Sequence, residues 1–236
     1  MLSQNTNALG IIFPNSYDNT VPELVTERAM ASIPFAGRYR MVDFVLSSMA
    51  NCGISDIAIV VRENYHSLMD HLESGKAWDL NRKRDGLFIL PPYVTRSSTG
   101  SYSGLLDAIR SNLNYVRRAS QRYAMISGSS TVFNMKFDDM MAQHLATGAD
   151  ITILYNVPAD DESNGDADRT HLKMDESGRV VDIEVTPHLN TYPNVSMDVY
   201  IMDKALLTYL VEVSAAHYRS DFVRDVLIKQ LGELKI

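Results

Sequence analysis

Four short, continuous apolar runs constrain this chain most. They are Ala8–Phe13 (ALGIIF), Asp56–Val61 (DIAIVV), Tyr123–Ile126 (YAMI) and Asp150–Tyr155 (DITILY). A strand buried on both faces loses the polar alternation of a half-exposed strand and reads as such a run. Helical patterns lie between the runs, over Arg40–Asn51, Ser67–Glu73, Gly104–Arg118 and Phe137–Thr147. Strands alternating with helices predict an α/β fold: a doubly wound, mostly parallel sheet with helices on both faces. Ligands are then expected beyond the C-terminal ends of the strands.

The pattern changes after Pro158. Asp160–Asp168 is acidic and turn-rich and reads as a solvated loop. His171–Met174 and Arg179–Val185 flank a DESG turn and predict a β-hairpin. Ser196–Met202 reads as a further strand, and Lys204–Val213 and Asp221–Leu231 as helices.

Composition excludes several function classes. A net charge of −7 argues against general nucleic-acid binding. The single cysteine, Cys52, allows no internal disulfide and reads as a small buried hydrophobe. Neither a signal peptide nor a membrane-spanning run is apparent, so a cytoplasmic protein without a membrane partner is expected. His66 and His71 are five residues apart, off one helical face, and do not read as a metal pair. Arg82-Lys83-Arg84 reads as a solvated loop, with an effector-phosphate site as the alternative.

The segment Ser32–Gly53 carries more information. Pro34 and Gly37 punctuate a turn, Arg38 and Arg40 precede a helix, and Asn51 and Gly53 stop it. Met41, Val45, Leu46 and Met49 recur on one helical face. Two arginines beside a helix N-terminus make Arg38 and Arg40 candidates for binding a phosphate or a phosphorylated effector.

In register, Pro34, Gly37, Tyr39, Arg40, Val42, Asp43, Phe44, Leu46 and Ser47 resemble the "P-x-x-x-G-K-F/Y-R-x-I/V-D-F-x-L-S" stretch of glucose-1-phosphate adenylyltransferases, with Arg38 in place of the lysine. Tyr102–Ala108 resembles that family's "Y-x-G-T-A-D-A", Met125–Gly128 the end of its central strand, Ser196–Tyr200 its "S-M-G-I-Y", and Asp221–Asp225 its "D-F-G-K-D". The resemblance implies a Rossmann-like (GT-A-like) nucleotidyltransferase domain over residues 1–236. Family members carry a left-handed β-helix after this domain, and no such repeat begins before Ile236.

The departures are as informative. Adenylyl transfer brings two phosphate groups together, which calls for Mg²⁺ held by carboxylates and for donors around the triphosphate. The family's "G-G-x-G-T-R-L" loop is here Pro14–Thr20, without a glycine; only side chains such as Asn15, Ser16 and Asn19 could replace its amides. The family's Mg²⁺-binding aspartate in "A-G-D-H" is matched by Ser129, a poor ligand for a hard divalent ion. Asp221 matches the second carboxylate and is a weak metal candidate; its other reading is a helix N-cap. The "E-K-P" near the sugar is Val185-Thr186-Pro187, the glycine of "S-M-G-I-Y" is Asp198, and "G-T-A" is Gly104-Leu105-Leu106.

Together these make Asn15, Ser16, Tyr102, Gly104, Ser129, Thr186 and Asp198 a degenerate substrate site, with no catalytic residue and no cofactor expected, although active relatives use Mg²⁺. Such a chain resembles the GlgD-type regulatory subunits of the family. Their implied partner is a catalytic glucose-1-phosphate adenylyltransferase subunit, with a sugar phosphate or effector as a further ligand. The alternatives are an active adenylyltransferase with an unusual site and a binding module without chemistry.

Overall fold

The computed structural model describes residues 7–14, 21–92, 94–95, 98–99, 101–133, 135–158, 169–185 and 192–236. Along the chain run β1 (Ala8–Phe13), α1 (Pro22–Val25), β2 (Pro34–Phe35), β3 (Tyr39–Arg40), α2 (Met41–Asn51), β4 (Asp56–Val60) and α3 (His66–Leu72). Then come β5 (Gly86–Leu90), β6 (Val94–Thr95), β7 (Ser98–Thr99), α4 (Leu105–Ser111), α5 (Leu113–Arg118), β8 (Tyr123–Gly128) and α6 (Phe137–Thr147). The last third holds β9 (Ile151–Asn156), β10 (Thr170–Met174), β11 (Val180–Val185), β12 (Asn194–Asp203), α7 (Lys204–Ala216) and α8 (Ile228–Gln230).

The sheet order is β11-β10-β12-β8-β1-β4-β5, with β9 on β12. Strands β5, β4, β1 and β8 are parallel neighbours, whereas β12 runs antiparallel to β8, β9 and β10. The expected mostly parallel α/β sheet is therefore present. The chain leaves β1 towards β4 and β5 and returns to the other side of β1 as β8. That reversal makes a topological switch point at the C-terminal ends of β1 and β8.

Strict alternation along the strands divides the core into two layers. Leu9 and Ile11, Ala124 and Ile126, and Tyr200 and Met202 face α4, α5 and α7. Ala8 and Ile12, Ile57 and Ile59, Met125, and Val199 and Ile201 face α2, α3 and α6. Side chains on both faces are buried, which is why these strands read as unbroken apolar runs. Gly10 belongs to the second face, where a Cβ would come 2.9 Å from Met49 Sδ and 3.1 Å from Ile57 Cγ1, so its missing side chain lets α2 press onto β1.

Helix α2 buries Val42, Val45, Leu46 and Met49. Asp43, in its first turn, accepts the Arg40 backbone N–H at 2.9 Å and lies 2.6 Å from His71 Nε2. Gly53, at φ 77°, ends the helix as expected. Cys52 is buried.

Three expectations need adjustment. The single helix over Gly104–Arg118 is split at Asn112, whose side-chain amide donates to the Ala108 carbonyl at 2.9 Å and to Tyr102 Oη at 3.0 Å. The helix over Asp221–Leu231 contains a π-helical turn at Val223–Leu227. Strand β5, the parallel edge of the sheet, lies in a segment that the apolar runs above do not include. The hairpin β10–β11 forms as expected. The acidic loop Asp160–Asp168 lies outside the described residues. Among the described residues, no helix is long and apolar enough to cross a membrane.

Candidate functional site

The switch point is built from chain ends. Phe13 and Pro14 leave β1, Val61 and Arg62 leave β4, and Ser129 leaves β8, its backbone N–H donating to the Phe13 carbonyl at 2.9 Å. Asn64, at φ 50°, holds the next wall: its side-chain amide donates to the Thr26 carbonyl at 2.9 Å, and its own carbonyl accepts the Ala29 N–H at 3.1 Å. Asparagine tolerates the left-handed region better than most residues. These contacts fold residues 21–32 across the end of β4. The result is a cavity of ≈ 220 Å³ lined by Pro14, Arg28, Arg62, Glu63, Leu68 and Ser129, among others.

Ser129 is 2% exposed, and its Oγ has no hydrogen-bond partner. Beside it, β12 shifts register between Ser196 and Val199. Val199 pairs with Ser127, so Asp198 stands next to the end of β8. Asp198 has φ 54°, the conformation a β-bulge asks of glycine. An aspartate in the position of the family's glycine is accommodated because its N–H donates to Ser196 Oγ at 3.2 Å and its Oδ1 accepts from Tyr200 Oη at 3.0 Å. A buried carboxylate is thereby added at the crevice.

The remaining candidates divide into separate places. Tyr102 is buried, and its hydroxyl donates to the Pro91 carbonyl at 2.9 Å, just past the end of β5. Gly104 abuts the chain before the last helical segment: a Cβ there would lie 2.4 Å from the Ser220 carbonyl oxygen, which accepts the Leu106 N–H at 3.2 Å. Leu105 and Leu106 point into the core. Asp221 Oδ1 accepts the Arg224 N–H at 2.8 Å, the geometry of an N-cap. Asn15, Ser16 and Thr186 lie outside the described residues.

Arg38 and Arg40 diverge. Arg40 Nη1 donates to the carbonyl and the hydroxyl of Ser67, both at 2.7 Å, and so ties the loop before α2 to α3. Arg38 is exposed and lines a second cavity, of ≈ 950 Å³, with Lys76, Trp78 and Arg82. Arg82 in that wall is paired with Asp79 at 2.6 Å.

The donor set does not fit a divalent ion. A serine hydroxyl replaces one carboxylate, an oxygen of the other is engaged in capping, and no cluster of three His, Cys, Asp or Glu residues forms among the described residues. The acid most clearly perturbed by burial lies at the opposite end of the sheet. Asp56, at the start of β4, is pushed above the usual carboxylate range by burial, opposed by the Tyr115 hydroxyl that donates to it at 2.5 Å. This pair belongs to the packing of the sheet and not to the switch point. Arg28, Arg62 and Asn64 line the cavity at the switch point and belong to none of the family motifs.

The nucleotidyl transferase family model matches residues 23–235, nearly the whole chain. The chain belongs to the nucleotidyl transferase family. Within that family it is similar to the glycogen biosynthesis protein GlgD of Geobacillus stearothermophilus, 45% identical over 148 residues, 63% of this chain and 43% of that protein. It is also similar to GlgD of Bacillus subtilis (strain 168), 42% identical over 154 residues, 64% of this chain and 44% of that protein. A glucose-1-phosphate adenylyltransferase of Bacillus mycoides is 31% identical over 237 residues, 99% of this chain and 62% of that enzyme. The match thus spans less than half of the GlgD proteins. The likeness to GlgD proteins agrees with the resemblance that the motifs carry.

Proposed function

We propose that this domain belongs to a regulatory, catalytically inactive subunit, which assembles with a catalytic glucose-1-phosphate adenylyltransferase in the cytoplasm and tunes ADP-glucose formation for glycogen synthesis. The observation that carries the reading is Ser129. It stands at the switch point, at the position matched to the family's metal-binding aspartate, with an unpartnered hydroxyl in place of a carboxylate. The capping role of Asp221 and the carboxylate of Asp198 support it. A frame that persists without its reactive groups acts through its surface, by favouring one conformation of a neighbour. The natural neighbour is another copy of the same architecture.

The test is co-expression of the full-length protein with a catalytic homologue, followed by size-exclusion chromatography and kinetics. The expected result is a mixed oligomer with a changed rate or effector response, and no ADP-glucose synthesis by this subunit alone. Separate elution with unchanged kinetics would overturn the reading. Turnover of about 1 s⁻¹ or more by the purified subunit would instead make it an active adenylyltransferase.

A further inference from the structure

We propose that the groove between α2 and the loop before β5 binds a neutral carbohydrate chain, an α-glucan. The carbohydrate class comes from the groove itself; the choice of an α-glucan rests on the glycogen-synthesis reading above.

One wall is a surface stripe of α2. Asp43, Ser47, Ala50 and Asn51 recur at helical spacing, on a different side from the apolar Val42, Val45, Leu46 and Met49. Residues 76–82 form the facing wall, and the cavity between them is ≈ 950 Å³. It shares no lining residue with the cavity at the switch point. Ligand pockets run to about 300–1,000 Å³, so this one has room for an oligosaccharide.

The loop wall is preformed. The N–H groups of Trp78 and Leu80 donate to the Gly75 carbonyl at 3.1 and 3.0 Å, and the Leu87 N–H to the Leu80 carbonyl at 3.1 Å, which ties the loop to the start of β5. Glu73, at φ 45°, and Asp79, at φ 57°, lie in the left-handed region. Residues other than glycine persist there only where their surroundings hold them, and such residues gather at ligand clamps. A rigid wall costs a ligand little ordering.

The chemistry of the groove selects a neutral polyhydroxyl ligand. Trp78 and the half-exposed Tyr39 bring aromatic surface into it. Trp78 is held in place: its Nε1–H donates to Ser47 Oγ at 3.2 Å, and its ring meets that of His71 edge-on at 6.0 Å. Planar polar groups are fixed beside it, with Arg82 Nη2 donating to Asp79 Oδ2 at 2.6 Å and His71 Nε2 2.6 Å from Asp43 Oδ1. Arg38 and Lys76 line the same groove and have no hydrogen-bond or ion-pair partner among the described residues. Donors and acceptors are therefore both on offer. Sugar hydroxyls donate and accept, and a sugar ring also has an apolar face that aromatic surface covers. An anion would gain Arg38 and Lys76 but would face the carboxylates of Asp43 and Asp79.

Trp78 is the only tryptophan of the chain, so its fluorescence reads this groove directly. Titration of the 236-residue chain with maltoheptaose at constant ionic strength, followed by fluorescence and by isothermal calorimetry, tests the proposal. A saturable change in emission is expected, with one affinity by both measurements and no competition by inorganic phosphate. Tyr39→Ala should weaken binding about five- to tenfold, as loss of one aromatic contact implies. Lys76→Ala should weaken it several-fold, and Tyr209→Ala, an exposed aromatic on α7, should leave it unchanged. Circular dichroism and thermal unfolding confirm that each variant is folded; Tyr39 and Lys76 are exposed, so their removal leaves the core intact. No saturable signal in either measurement, competition by phosphate, or wild-type affinity in both Tyr39→Ala and Lys76→Ala would overturn the proposal. Heat that neither changes Trp78 emission nor depends on Tyr39 would place the glucan elsewhere and overturn it too. Failure here leaves the mixed-oligomer test untouched, because glucan binding is read on this chain alone.

Discussion

Gly104 offers a sharp test of whether a motif glycine here serves a ligand or the fold. Its backbone is extended, with φ 176°, so any residue adopts the conformation without strain. The constraint is space. A Cβ at Gly104 would lie 2.4 Å from the Ser220 carbonyl oxygen and 2.9 Å from its carbon. Carbon–oxygen contacts sit at about 3.3 Å or more, so the carbonyl must retreat by roughly 1 Å. That carbonyl is a backbone group, and it holds the Leu106 N–H at 3.2 Å in the first turn of α4. Forced overpacking costs about 1–3 kcal/mol and the lost hydrogen bond about 1 kcal/mol more. Gly104→Ala should therefore destabilise the domain by about 2–4 kcal/mol. At ~2–4 °C per kcal/mol for a chain of this size, Tm falls by about 5–15 °C. Differential scanning calorimetry, or urea unfolding with an unchanged m-value, reads the effect. A Tm within 1 °C of the wild type would refute the packing argument and return Gly104 to a ligand-binding role.

Other outcomes follow from the same geometry. Asp43→Ala removes the acceptor of the Arg40 N–H and the partner of His71, and should cost about 2–3 kcal/mol in chemical denaturation. Tyr115→Phe leaves Asp56 buried without the hydroxyl that offsets its burial. Because the folded pKa of Asp56 is raised, the native state holds that proton more tightly than the unfolded chain, so this group's contribution falls as pH rises above the ordinary carboxylate value. The variant should lose about 1–3 kcal/mol at pH 7 and less as pH approaches 4, as pH-dependent unfolding would show. His144 is buried, its Nδ1 lies 2.8 Å from Thr152 Oγ1, and burial lowers its pKa below 6.5. The unfolded chain then binds the proton more readily, so stability from this site is present above pH 6.5 and is lost as pH falls below it. His144→Gln should flatten that slope.

What was legible in the sequence follows from how local each cause is. The apolar runs marked β1, β4, β8 and β9 because both faces of those strands are buried, a property each segment carries in itself. The turn and periodicity of Ser32–Gly53 marked α2 for the same reason. Strand β5 was harder: Phe88 is exposed at a sheet edge, and the basic run before it masks a short segment. The place of β12 between β8 and β9 is a pairing choice that no segment states alone. At the site, register with family motifs marks Ser129 and Asp198, and Asp198 occupies a backbone conformation suited to the glycine it replaces. Arg28 and Arg62 carry no such mark, since their place beside Ser129 depends on residues 21–32 folding across the end of β4. The position of Arg40 before a helix reads as that of an anion ligand, while its guanidinium is committed to Ser67.

The central position of β12 sets an order on the chain as it is synthesised. Strands β5, β4, β1 and β8 can pair once Gly128 has emerged, and β9 follows soon after. Yet β9 pairs only with β12 among the described residues, and the second edge of β8 is also reserved for β12. Strand β12 ends at Asp203, about 75 residues after β8. At about 5–20 residues per second, β8 carries an unpaired apolar edge for roughly 4–15 s, and β9 adds a second one for roughly the last 2–9 s of that wait. Unpaired edges are templates for pairing between chains. A nascent chain stopped before Asn194 would therefore present the surface most prone to aggregation, and completing β12 closes both edges in one step.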